Sequence, residues 1–166
     1  MQDNIKYWQI IDGEDIIHWN FIGQKRRYSC VRMQKMSDCI RKAVQMIDKS
    51  LSKKGFELSI IVCDKKTIRA RKKEYFNIDR ETDVIALSML EGEYNQFCGL
   101  MIGDIYICHD VIRENAKDWS VEEELAFILI HGLLHIFSYS DIEPDKKREM
   151  FKFQKKIFNK CFKGDG

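Results

Sequence analysis

Residues 120–141 read SVEEELAFILIHGLLHIFSYSD, and the rest of the chain is best understood outward from this stretch. Ser120 followed by Glu123 is a capping box, in which each side chain accepts from the other's backbone amide and opens a helix. The run from Leu125 to Phe137 is then almost wholly apolar. It is shorter than the ~20 residues of a membrane span, so it predicts a buried helix in a protein without a membrane anchor. His131 and His135 stand four residues apart, on one helical face and close enough to share a metal. In zinc peptidases with an H-E-x-x-H helix, the second position carries the general base; here it is Gly132, so that base is missing. Two histidines at this spacing also suit plain packing, each with one satisfied nitrogen. Ser138-Tyr139-Ser140-Asp141 ends the apolar run, and beyond the turn Asp141 can fold back over the helix. Two helical histidines plus a carboxylate give three protein ligands and an open position, the arrangement of a catalytic zinc. An aspartate there also serves as a helix cap or as a solvated loop carboxylate.

Toward the C-terminus, Pro144 suits a first helical turn. Met150, Phe151, Gln154, Ile157, Phe158, Cys161 and Phe162 then recur on one face of a last helix. Toward the N-terminus, Leu100–Cys108 and Thr82–Leu87 read as strands, with a loop or hairpin connection over 91–99. Asp64–Asn77 reads as a short helix, and Phe56–Cys63 as a strand entering a buried sheet position. A helix is predicted from Tyr28 to Ser52, carried by Val31, Met36, Cys39, Ile40, Val44 and Ile47. Residues 5–11 alternate as a strand does, and Gly13–Gly23 reads as an irregular approach. The predicted order is strand, helix, strand, helix, strand, strand, then helices. That is an α+β fold with one small mixed sheet covered by helices.

The 166 residues correspond to one domain at ~100–200 residues each, so residues 1–166 are read as a single unit. A hydrophobic content of 45% with ten Phe excludes a disordered or low-complexity chain. A net charge of +2 is too small to identify a partner, so any nucleic-acid surface must come from local patches. No basic start followed by an apolar stretch opens the chain, and the six cysteines lack a C-x-x-C pair. Reduced core thiols in the cytoplasm are the reading that follows.

The stretch HGLLHIFSYSD, followed by Glu149-Met150 and Gln154 at E-M-x-x-x-Q-x-x-I spacing, resembles the YbeY family of bacterial endoribonucleases. That family carries H-G-x-L-H-x-x-G-Y-D-H ahead of the same helix. Thr82-Asp83-Val84 is similar to its T-D-V-L-S-F strand, and Gly103-Asp104-Ile105-Tyr106-Ile107 to its G-D-I-x-I strand. The resemblance runs from about residue 75 to 160 and more loosely back to Tyr28. It implies an α+β fold with a zincin-like two-histidine metal helix and one Zn2+ per chain. It also implies cleavage of single-stranded RNA in small-subunit rRNA maturation and ribosome quality control. By position, His131 and His135 match the first two metal histidines, and Asp141 falls where the third stands. The chain departs from the pattern at Asp141, at Ser138 for the turn glycine, at Phe76 for an arginine and at Ala86 for a serine. Aspartate is shorter than histidine, so the loop must approach the metal more closely or a water must bridge. Ser138, if left-handed, costs about 1 kcal/mol relative to glycine.

The chemistry so implied is metal-assisted phosphodiester hydrolysis, with His131 and His135 acting through a water on the metal. Asp104 or Glu143 is a candidate helper. Arg69, Arg71, Lys72 and Lys73, within a basic run without an acidic residue, are candidates for RNA binding. Charge runs are usually solvated faces, however. The alternative is a catalytically weakened member of the same fold that only binds RNA or the small ribosomal subunit. A zinc peptidase is a further alternative, disfavoured by Gly132. His18 and His109 read as ordinary polar histidines, and Tyr139 as either a cleft or a packing residue.

Overall fold

Apolar side chains alternate at Ile17, Trp19 and Phe21, at Leu58, Ile60 and Val62, and at Ile105 and Ile107, and all of them are buried. These three runs are the central strands of a five-stranded sheet in a computed structural model that describes residues 6–23, 28–91 and 100–164. The first two strands, β1 (Lys6–Asp12) and β2 (Asp15–Ile22), form a hairpin in which Asp12 pairs with Asp15 across Gly13-Glu14. Gly13 sits at φ 59°, a conformation open to glycine at no steric cost. Residues 13–23, predicted to be irregular, are therefore mostly a strand. The two-residue turn and the period of two in Ile17, Trp19 and Phe21 are what make it one.

Helix α1 (Cys30–Ile47) starts at Ser29, whose hydroxyl accepts from the Arg32 amide at 3.1 Å. It ends at Asp48 instead of running to Ser52, and a single turn, α2 (Leu51–Lys54), follows. Val31, predicted to be on the apolar face, is 78% exposed, because the buried stripe runs through Met33, Met36, Ile40 and Val44. The Arg41 guanidinium reaches Asp15 at 3.0 Å and Asp12 at 2.5 Å, tying both ends of the hairpin turn to α1.

Strand β3 (Glu57–Cys63) leads to α3 (Lys65–Phe76), capped by Asp64 and closed by Asn77 at φ 56°. Strands β4 (Val84–Ser88) and β5 (Met101–Cys108) follow. Most of the predicted 91–99 connection falls at 92–99, outside the described residues, as do Cys98 and the first five residues. Helices α4 (His109–Asn115), α5 (Val121–Ile136) and α6 (Pro144–Phe158) complete the chain, with one π-helical turn at Asn159–Lys163.

The sheet order is β1-β2-β3-β5-β4, parallel from β2 through β5 and antiparallel at both edges. Ile17 lies beside Leu58, Trp19 beside Ile60, and Ile60 beside Ile105, so one face of the sheet carries the main core with α1, α5 and α6. A smaller cluster of Cys63, Ile68, Ile85 and Cys108 lies on the opposite face under α3. This is a single α+β domain with a mixed sheet between helices. Among the described residues no helix is long and apolar enough to cross a membrane. Cys39, Cys63, Cys108 and Cys161 are buried thiols and Cys30 is an exposed one; burial pushes Cys39 and Cys63 up to about 12.

Candidate metal centre

The capping box of α5 forms as its residues require: Ser120 Oγ accepts from the Glu123 amide at 3.1 Å, and Glu123 accepts from the Ser120 amide at 3.3 Å. Sheet, α1 and α6 enclose the helix, so its residues from Leu125 to Ile136 are buried but for Phe127, His131 and His135. Gly132 faces the sheet. A Cβ there would lie 3.2 Å from the Ile105 side chain and 3.4 Å from Val84, so the residue beside His131 is a point of close helix–sheet approach. The place of the peptidase glutamate is thus directed into the core, and no carboxylate could work from it.

The end of α5 brings the third residue back. The Ser138 amide donates to the His135 carbonyl and the Tyr139 amide to the Leu134 carbonyl, each at 3.0 Å. With Ser138 at φ 72°, this is a Schellman motif whose usual glycine is a serine. The reversal carries Asp141 Oδ2 to 3.6 Å from His131 Nε2 and 3.4 Å from His135 Nε2, while the two Nε2 atoms are 3.0 Å apart.

Two hydrogen bonds decide which imidazole nitrogens are free. His131 Nδ1 lies 3.2 Å from Gln154 Oε1, and His135 Nδ1 lies 3.0 Å from the Tyr139 carbonyl. Both oxygens only accept, so both Nδ1 atoms donate and the neutral rings present bare lone pairs at Nε2. The Gln154 amide is oriented in turn by donation from Nε2 to the Phe127 carbonyl at 2.9 Å, and the residue is 2% exposed. Burial, reinforced by His131, holds His135 below the ordinary histidine range, which favours its neutral form.

Three electron-pair donors therefore converge with no hydrogen between them, a repulsive set unless a cation lies among them. Metal–donor bonds of 2.0–2.1 Å in a tetrahedron place neighbouring donors about 3.3 Å apart, and the observed 3.0, 3.4 and 3.6 Å bracket that spacing. The residues fit a divalent ion such as zinc. His131, His135 and Asp141 keep 25%, 29% and 39% side-chain exposure, so a further position is open to solvent.

The other candidate residues lie elsewhere. On β5, Gly103 and Ile105 face α5, so Asp104 points to the opposite face of the sheet, where burial raises its pKa. Glu143 is an exposed residue ahead of α6, paired with Lys146 at 3.7 Å. Arg69 is paired with Asp79 at 2.7 Å and Arg71 with Glu74 at 2.5 Å. The Lys72 ammonium lies 4.7 Å over the Phe76 ring. These residues and Lys73 belong to α3, which covers the face of the sheet remote from α5. His18 bonds Glu57 at 3.0 Å and His109 bonds the Tyr28 hydroxyl at 2.8 Å, both structural roles. Tyr139 packs on Phe153 with ring centroids 5.6 Å apart.

Two residues that sequence reasoning left without a role meet the site. Gln154 was legible as a member of the apolar face of the last helix and of the E-M-x-x-x-Q-x-x-I spacing, but not as a partner of His131. Lys147, in an otherwise unremarkable basic stretch, lines a cavity of about 250 Å³ together with His131 and Asp141.

The family model described as endoribonuclease YbeY matches residues 21–161. A Listeria monocytogenes protein named endoribonuclease YbeY is 35% identical over 117 residues, covering 63% of this chain and 73% of the relative. A Staphylococcus aureus protein of the same name is 38% identical over 110 residues, covering 62% and 71%. The solution structure of a Thermotoga maritima protein aligns with a TM-score of 0.57 at 22% identity, over 87% of this chain and 89% of that one, a likeness of fold.

Proposed function

The chain belongs to the endoribonuclease YbeY family, and from that premise we propose that it is a zinc-dependent endoribonuclease, one domain over residues 1–166, cleaving single-stranded RNA. The observation that carries this reading is the convergence of His131 Nε2, His135 Nε2 and Asp141 Oδ2 within 3.0–3.6 Å of one another. The family relation extends the reading to small-subunit rRNA maturation and ribosome quality control, carried out in the cytoplasm with the small subunit as partner.

The donor set of two imidazoles and one carboxylate suits zinc, which when bound would supply Lewis-acid polarisation of a phosphoryl oxygen and a nucleophilic water at neutral pH. The protein's own part is positional. Gln154 and the Tyr139 carbonyl hold protons at Nδ1 of His131 and His135, which aims both lone pairs at one point. Asp141 adds a negative charge that binds the cation more tightly and leaves it less electrophilic than a third imidazole would. The buried position of Gly132 removes any glutamate base from beside His131, which counts against peptide hydrolysis.

Phe76, which stands where the family has an arginine, favours one second reading: a member that binds RNA without cutting it. Zinc content and cleavage of a single-stranded RNA separate the two. In His131→Ala and His135→Ala both are expected to be lost. Zinc bound by the parent protein without cleavage would favour the binding protein, and full retention of both properties in the variants would remove the metal mechanism.

A further inference from the structure

Beside the donor set, between α5, α6 and the residues leading into β4, lies the cavity of about 250 Å³ that shares His131 and Asp141 with it. Its walls are mostly apolar. Phe127 and Phe151 stand at 88° to one another with centroids 6.0 Å apart, and Met150 lies beside them. A phosphodiester gains nothing from such walls, whereas the flat face of a nucleobase does. Phe151 is 46% exposed, and its ring is kept in place by the Lys155 ammonium 4.6 Å from its centroid.

The polar groups of the cavity divide by sign. Lys146 and Arg148 are paired with Glu143 and Asp145, but Lys147 between them has no ion pair among the described residues. Its charge is free to meet a phosphate. Asp83, which lines the same cavity half-buried, has no cationic partner among the described residues either. Behind it lies Glu124, whose carboxylate accepts from Trp119 Nε1 at 2.6 Å; burial, and then the nearby Asp83 charge, raise its pKa. One part of the cavity thus calls for hydrogen-bond donors and another for an anion. A carboxylate accepts only, so the ligand edge facing Asp83 must carry N–H: the exocyclic amine of cytosine offers it at the rim of the ring, whereas the one ring N–H of uracil lies between two carbonyls whose oxygens repel the carboxylate.

We propose that this cavity is a base-reading subsite: it seats the nucleobase flanking the scissile phosphate, with Lys147 on a neighbouring phosphate, Phe127 and Phe151 against the ring, and Asp83 selecting an amino-bearing base. The subsite rests on the RNA-cleaving reading and names the part of the substrate that reading leaves open. Lys147 supplies a cation to the site that Phe76 and the paired arginines of α3 do not.

The test separates binding from cleavage. Fluorescent oligocytidylate and oligouridylate are titrated against the full-length protein in EDTA, where no metal-dependent cleavage intervenes. The parent protein should bind the cytidylate about fivefold or more tightly, in line with one good base-edge contact. Asp83→Asn should erase the preference. Phe151→Ala should weaken both oligomers about tenfold. Lys147→Ala should weaken both alike and reduce the slope of log affinity against log salt by about 0.7. Phe151 and Lys147 are surface residues, so their variants retain the fold. Equal binding of the two oligomers by the parent, or unchanged binding in Phe151→Ala and Lys147→Ala, overturns the subsite. A zinc-loaded assay on an RNA containing all four bases then reads the other claim independently. Cleavage without base preference, insensitive to all three substitutions, leaves the nuclease and removes the subsite. Base preference without cleavage leaves the subsite and removes the nuclease.

Discussion

Gln154 holds the proton on His131 Nδ1 and is itself held by the Phe127 carbonyl, so one buried amide settles the direction of a ligand lone pair two bonds away. In Gln154→Leu that Nδ1–H loses its acceptor and the imidazole is free to change tautomer. Zinc affinity, measured by competition with a chelator, should fall about 10- to 100-fold, as it does when such outer partners are removed. The nitrogen chemical shifts of His131 should report a mixture of tautomers; unchanged affinity with an unchanged tautomer would show that Gln154 only packs. At the same scale, Gly132 was readable as a missing base, but not as a contact with Ile105 and Val84. Its neighbours in the sequence do not show which side of a fully enclosed helix meets the sheet. Asp104 is the converse case. A carboxylate within a motif is easily taken as chemistry, yet the alternation of β5 sends it to the far face.

The end of α5 is set by local sequence. The apolar run, the capping box and the turn beyond Phe137 were all legible, because they depend on residues within a few positions of each other. Ser138 occupies a left-handed position at φ 72° and its hydroxyl donates to Glu91 on the surface. Ser138→Gly should therefore stabilise the protein by up to about 1 kcal/mol, read as a shift of the urea midpoint at unchanged slope. A loss of stability would mean that the bond to Glu91 outweighs the strain. The hairpin is the exception at this scale: the short turn at Gly13 makes a strand, β2, of residues expected to be irregular. The signal was present in Asp12-Gly13 and in the alternation of Ile17, Trp19 and Phe21. Two interrupting polar residues, His18 and Asn20, lie on the opposite face of the same strand.

For the molecule as a whole, the donors come from a helix and from the loop after it, with support from a second helix. A cation held by them binds the folded state and not the separated ligands of the unfolded chain. Zinc at a hundred times its dissociation constant should add about 2.7 kcal/mol, raising the melting temperature by roughly 5–11 °C for a chain of this size. Excess EDTA should reverse the shift, and His135→Ala should abolish it. A melting temperature indifferent to zinc and EDTA in the parent protein would argue against a metal held by these three residues.

Local order was written into the chain: hydrophobic spacing of two or nearly four, caps, and turn residues act over a few residues, so most elements and the two-histidine face could be read directly. The assembly of the site was not, because it depends on which surfaces pack together far along the chain. The strand order that puts β5 between β3 and β4, the side of the sheet taken by α3, and the arrival of Gln154 and Lys147 from α6 all arise from burying one shared core.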